Sequence, residues 1–284
     1  MNLKKMIVAA LCMVMLLSAT ACGGTKSGSK SAQGSQSSNS AAAEKTEMKL
    51  STTQYNYDEV NADCAIKAME AKGYKVSVAV FQDASTQNQA ILNGEVDASL
   101  QQHQPFLNSY NQSKNTNLVM ITPYIHKCEF GFYSMKYKSV DELPDGATVV
   151  IGSDASNMAR ALIFLKSLGL VDYDSSITAP STLDITKNPK NIQFKPLDTQ
   201  QEANSLPDVD GVCVSRMNII GLNYSVKDTE LCVADEGDTY GVGFVVTDEN
   251  KDAQWVKDLE ACYTTAEMKD FINARYAGAF TPAF

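Results

Sequence analysis

Histidine is scarce in this chain. His103 and His126 are the only two among 284 residues, too few for a histidine-built metal centre. The cysteines form no CxxC pair, so neither a zinc ribbon nor a dithiol redox motif is supported. No GxSxG, HExxH, P-loop or GxGxxG occurs, which leaves hydrolase, metalloprotease and nucleotide-binding readings without their usual carriers. "TDENKD" at 247–252 lacks the spaced ligands and glycine of a calcium loop. The acid pairs Asp141/Glu142 and Asp235/Glu236 fall in loop segments and read as ordinary surface charge. Basic clusters are missing too. The net charge is −9, and no run of Lys or Arg lies beyond the N-terminus to neutralise phosphates, which argues against a nucleic-acid partner. No cofactor is implied. What remains is a chain with 44% hydrophobic residues, enough for a sizeable core, and no catalytic signature.

The first residues read as a targeting signal. Lys4 and Lys5 precede "MIVAALCMVMLL" (6–17), an apolar run of 12 that is short for a membrane span and typical of a signal peptide, here residues 1–21. "SATAC" (18–22) then places small residues before Cys22, as in a bacterial lipobox. Lipidation at Cys22 is the expectation; ordinary cleavage after Ala21 is the alternative. Residues 23–46, "GGTKSGSKSAQGSQSSNSAAAEKT", lack apolar periodicity. With Cys22 they form a flexible tether (22–46) with a root-mean-square reach of about 25–30 Å. Five further cysteines, Cys64, Cys128, Cys213, Cys232 and Cys262, are odd in number and widely spaced. They read as small buried hydrophobes, with one disulfide left open.

From residue 47 strands and helices alternate. Strands are expected at 47–53, 74–81, 96–101 and 117–122, with helices at 57–72, 84–93 and 104–114. A second series follows: strands at 147–152, 191–197, 209–215 and 241–247, with helices at 155–168, 199–206, 251–262 and 265–276. This order predicts an α/β protein with largely parallel sheets covered by helices. "GEVDASLQ" (94–101) and "DVDGVCVS" (208–215) echo one another, as if two similar lobes each offered a strand end to a shared cleft. Ligands of α/β sheets sit beyond strand carboxyl ends. That points to His103 on one side, and to Ser215 and Arg216 on the other. An exported, two-lobed protein of this kind reads as a binder and not as an enzyme.

Four blocks carry a resemblance to a known family. They are "FQDASTQNQAILNGEVDASLQQHQPFL" (81–107), "SVDELPDGATVVIGSDASNMARALIFLKSLGL" (139–170), "DITKNPKNIQFKPLDTQQEANSLPDVDGVCV" (184–214) and "YAGAFTPAF" (276–284). They resemble the NlpA/MetQ family of substrate-binding lipoproteins, which deliver methionine to ABC importers. The resemblance implies a type 2 periplasmic-binding-protein fold. One lobe would comprise 47–128 plus 238–284 and the other 129–237, hinged at crossovers near 126–132 and 234–240. It further implies a monomer anchored by lipid on the outer face of a bacterial membrane. Its partners would be a small ligand with a carboxylate, an ABC permease and that permease's ATPase. A surface interaction lipoprotein that keeps the fold without transport is the alternative.

The resemblance also implies site residues. Arg160 matches the arginine that clamps the ligand carboxylate; a guanidinium fork and a helix N-terminus both suit that group. Asn157, one turn earlier, would meet ligand or cap the helix. His103 and Gln102 match a Q-H motif lining the pocket. Tyr133 matches a tyrosine near the hinge, with core packing equally open. Gln101, Ser215, Arg216 and Tyr240 complete the expected lining. The departures fall on the parts that read the ligand's side chain. Ala84 replaces a tyrosine and Gln101 an aromatic, and Gln87 replaces a proline. Gly152-Ser153 replaces Pro-Asn, Ser215 replaces an asparagine, and Gly241-Val242-Gly243 stands where another asparagine is expected. A ligand other than methionine follows as the expectation. If Cys22 is the anchor, Cys22→Ser should move the protein from the membrane to the soluble fraction on cell fractionation; unchanged membrane retention would refute the anchor.

Overall fold

Residues 45–284 are described by a computed structural model. The signal segment, Cys22 and nearly all of the tether lie outside the described residues.

Strand β1 (Glu47–Thr52) is followed by helices α1 (Tyr57–Val60) and α2 (Asp63–Ala71). The single helix expected over 57–72 is thus broken, because Ala62 adopts an extended backbone as the N-cap of α2. The break leaves Glu59 and Val60 of α1 fully buried. Next come β2 (Lys75–Val80), α3 (Ala84–Leu92), β3 (Ala98–His103), α4 (Gln104–Lys114) and the two-residue β4 (Val119–Met120). β3 begins and ends two residues later than expected, so His103 closes the strand and caps α4.

β5 (His126–Cys128) passes through Glu129 into β6 (Phe130–Tyr133). β7 (Thr148–Gly152), α5 (Ala155–Ser167), β8 (Gln193–Leu197), α6 (Thr199–Glu202) and β9 (Gly211–Ser215) follow the expected order. Besides β5 and β6, three elements here were not anticipated: α7 (Arg216–Gly221), α8 (Val226–Thr229) and β10 (Glu230–Val233). All three are short, so hydrophobic periodicity has too few residues to announce them. The chain ends with β11 (Gly241–Val246), α9 (Gln254–Tyr263), α10 (Ala266–Tyr276) and β12 (Phe280–Pro282).

Two sheets result. The first has seven strands in the order β12-β5-β11-β3-β1-β2, with β4 also on β11; the second has five, β10-β6-β9-β7-β8. Parallel pairs β1–β2, β1–β3, β7–β8 and β7–β9 carry the βαβ units, while β11 and β6 run antiparallel to their neighbours. The chain crosses between sheets twice, at Glu129 and along 234–240. This is the two-lobed, two-crossover α/β fold of type 2 binding proteins.

Each sheet has its own core. Leu50, Leu100, Phe244 and Tyr263 are fully buried, or nearly so, in the first, and Phe132, Val149, Leu162 and Leu165 in the second. Each such side chain contributes about 1.5–3 kcal/mol by leaving water. The cysteines behave as small hydrophobes: all five are free, and Cys213 and Cys232 flank Phe132 from opposite neighbouring strands.

One buried ion pair stands out in the first lobe. His126 Nδ1 lies 2.8 Å from Glu59 Oε1, both side chains fully buried, with the imidazole stacked on Phe280 at 4.1 Å. Burial by itself would lower the imidazole pKa, but the Glu59 carboxylate and Cys128 together outweigh it and raise His126 to about 10. The pair therefore stabilises the fold fully below the ordinary histidine value of 6.5 and loses that contribution as pH rises through 10. His126→Ala would leave Glu59 buried without its cation, at a cost of about 3–5 kcal/mol in urea unfolding near neutral pH. An unchanged unfolding midpoint would contradict the pairing.

Candidate ligand-binding site

Where β1, β2, β3, β7, β8 and β9 end, their carboxyl termini face a common hollow between the two sheets. The cavity there has a volume of about 420 Å³. Its wall draws on Thr53, Tyr55 and Asn56 after β1, Asp83 and Ala84 after β2, and Gln101, Gln102 and His103 on β3. The second lobe adds Asp154, Asn157 and Arg160, Asp198 to Gln200, and Ser215, Met217 and Asn218. The two echoed strands thus do meet one cavity, as the strand-end rule predicts.

Helix α5 starts this site. Asp154 is its N-cap, with Oδ1 accepting the backbone N–H of Ser156 at 3.1 Å and of Asn157 at 3.0 Å. The helix start expected to present free donors is therefore already capped. Asn157 Nδ2 donates to Asp154 Oδ2 at 2.7 Å, and Asn157 Oδ1 lies 3.0 Å from His103 Nε2. His103 Nδ1 accepts the Phe106 N–H at 3.1 Å, so Nε2 carries the proton and donates to Asn157. Burial, reinforced by the nearby Arg160 charge, holds the imidazole neutral, with a pKa of about 4. His103 belongs to the first sheet and Asn157 to the second lobe, so this hydrogen bond spans the cleft.

Arg160 lies on the buried face of α5, 4% exposed. A guanidinium so placed requires a partner, and its partner is Glu236. Nε donates to Glu236 Oε1 at 2.7 Å, and Nη2 donates to Glu236 Oε2 and to Cys128 O. Phe130 and Tyr240 stack on its two faces, with ring centroids 4.3 and 4.2 Å from the guanidinium carbon. Glu236 was expected to be surface charge, and this is a correction. Its side chain is 16% exposed and held in a fork by Arg160. Nothing in the local sequence marks Glu236, because its partner is 76 residues away.

Other expected lining residues divide. Gln101 and Ser215 line the cavity without a side-chain partner among the described residues, and the Ser215 Oγ is enclosed. Tyr240 lines it while meeting His103 edge to face, centroids 5.1 Å apart. Gln102 reaches the wall, but its amide is closed in a reciprocal pair with Asn88. Tyr133 does not line the cavity: it is fully buried, and its hydroxyl donates to Glu230 at 3.1 Å. Nor does Arg216. Its guanidinium binds Glu230 at 2.8 Å and the Gly278 carbonyl at 3.0 Å, bracing the two lobes behind the cleft.

Gly152, one of the departures, has a steric reason. A Cβ there would lie 2.5 Å from Asn157 Cβ and 3.1 Å from Glu202 Oε1. That Glu202 carboxyl is buried beneath the α5 start. Burial, with repulsion from Asp154, pushes its pKa up to about 8. The folded chain thus keeps a proton that the unfolded chain releases near 4.5, and folding weakens as pH rises from there through 8. Glu202→Gln should flatten that decline, read as a smaller drop in melting temperature between about pH 5 and about pH 9. An identical drop in both proteins would place the carboxyl in water.

Among the described residues, no group of three His, Cys, Asp or Glu side chains is placed to hold a metal ion. A two-lobed fold with a partly open cavity of mixed polar and apolar lining at opposed strand ends defines a solute-binding protein by class. The model of the NlpA lipoprotein family matches residues 48–284, and the chain belongs to that family. It is 30% identical to the methionine-binding lipoprotein MetQ of Bacillus subtilis over 290 residues, covering 99% of both chains. It is 31% identical to the D-methionine-binding lipoprotein MetQ of Escherichia coli, covering 76% of this chain and 81% of that one. Among solved structures, a nutrient-binding protein from Burkholderia cenocepacia bound to methionine superposes with a TM-score of 0.78 at 29% identity. That match covers 84% of this chain and all of the other.

Proposed function

We propose that this protein is the lipid-anchored, extracytoplasmic receptor of an ABC importer, and that it carries a small amino-acid-like solute other than methionine. The cavity at the opposed strand ends carries the reading: about 420 Å³ suits a solute of amino-acid to small-peptide size. Membership of a lipoprotein family, and relatives named as methionine-binding, support the transport context. The lining supports a ligand different from theirs. Ala84, Gln101 and Ser215 offer small or polar surface where a thioether chain would favour aromatic and aliphatic contact. Binding without catalysis fits as well. His103 is neutral with both nitrogens engaged, so it is not poised as a base.

In this reading the lobes close by hinge motion at Glu129 and 234–240, and the closed form docks on its permease as a monomer. No described helix is long and apolar enough to cross a membrane, which suits attachment through the N-terminal segment. Mass spectrometry of small molecules released on denaturing the purified protein tests the receptor role, with a stoichiometric solute as the expected result. Calorimetry with L-methionine tests the divergence. Weak binding, with Kd above about 1 μM, is expected, and sub-micromolar binding would overturn the non-methionine assignment.

A further inference from the structure

A cleft that selects a carboxylate needs an unmatched positive feature. Three such features of this cleft, the starts of the longer helices α3 and α5 and the Arg160 guanidinium, are matched from within, while the short α6 and α7 begin at the wall without a side-chain cap. The start of α3 is capped by Asp83, which accepts the Thr86 N–H at 2.8 Å. The start of α5 is capped by Asp154. Arg160, the one cationic side chain in the cavity wall, has its Nε and Nη2 edge filled by Glu236. Only Nη1 lacks a partner among the described residues. We propose that Glu236 is a specificity-determining residue. It fills the Arg160 fork, so the cleft takes a solute whose end facing Arg160 is an amide and not a free carboxylate.

The physical argument is competition for one cation. A ligand carboxylate entering the cavity has two options. It can meet Nη1 alone, beside a guanidinium whose charge Glu236 already neutralises. Or it can displace Glu236, which must then find water or remain half-buried without its partner. Either way one of two carboxylates is desolvated without full pairing, at a cost of several kcal/mol. An amide escapes this conflict, because its carbonyl can accept from Nη1 without bringing a second negative charge. The unpartnered groups on the wall suit it: the Gln101 amide, the Ser215 hydroxyl and the Asp198 carboxylate can all accept an N–H. The sandwich of Phe130 and Tyr240 restrains Arg160 from swinging to a second carboxylate elsewhere. The clamp implied by family resemblance is thus present as a guanidinium, but its carboxylate is supplied by residue 236 of the same chain.

The inference rests on the cavity being the ligand site. Its test uses matched probes, the common L-amino acids and their α-amides, titrated by calorimetry into the wild-type protein and Glu236→Gln. Wild type is expected to bind an amide more tightly than its free acid. Emptying the fork should raise free-acid affinity at least about tenfold while amide binding stays within about threefold. Wild type preferring the free acid overturns the proposal. So does a Glu236→Gln protein whose free-acid binding is unchanged, absent or weaker, the last being what a residue that merely positions Arg160 would give. Glu236→Ala and the melting temperature of each variant separate loss of binding from loss of fold. The solute released from wild type separates the two levels of failure. A released solute with no gain in the variants sinks the Glu236 assignment alone; no released solute and no response to any probe sinks the receptor reading as well.

Discussion

A guanidinium buried to 4% exposure has to be neutralised where it stands, and in this protein that requirement organises the junction between the lobes. Arg160 projects from α5 of the second lobe. Its fork is closed by Glu236 on one crossover, its Nη2 also reaches Cys128 O at the end of β5, and its faces are covered by Phe130 and Tyr240. Residues from both crossovers therefore converge on one cation. Displacing any of them leaves a buried charge partly unpaired, so the geometry of the hinge and the chemistry of the cleft are tied to the same interaction.

Charge matching recurs around the cavity. Asp83 and Asp154 cap two helices, His103 accepts at a third, and Glu202 sits protonated beneath Asn157. The result is a wall whose guanidinium and longer helix starts are answered from within, with several groups ready to accept hydrogen bonds. Membership of the NlpA family is compatible with this. A shared fold does not fix the residues that read the solute. The chain of hydrogen bonds from His103 through Asn157 to Asp154 also joins the lobes, as does Arg216 between Glu230 and Gly278. These contacts hold the two halves in register about the cavity.

Most elements were legible because their signals are local. α5 shows a capping Asp154, a broad buried face from Ala159 to Leu165, and Gly169 at φ +72° just past its end. β7 and β9 are short apolar runs bounded by turn residues, as buried parallel strands are. The misses have equally local causes. α7, α8 and β10 have 6, 4 and 4 residues, below the length at which periodicity speaks. The helix expected over 57–72 breaks at an Ala62 that nothing in its own sequence singles out. Tyr133 and Arg216 were placed at the cleft by strand-end reasoning or resemblance. Yet β6 turns Tyr133 inward toward Glu230, and α7 carries Arg216 behind the wall.

From local pattern came the α/β class and an arginine on the apolar face of a helix, because hydrophobic spacing and capping act over a few neighbouring positions. The family and the approximate crossovers came instead from the resemblance of four blocks of sequence. The partner of that arginine was decided only in three dimensions. Glu236 is 76 residues from Arg160, in a loop where an acidic pair reads as solvent-facing charge. Its fate depends on how the return crossover packs against α5. Ion pairs form between groups that the fold brings together and desolvates, and neither proximity nor burial is written in local composition. The chain announces a buried cation, and the packing of the two lobes determines what answers it.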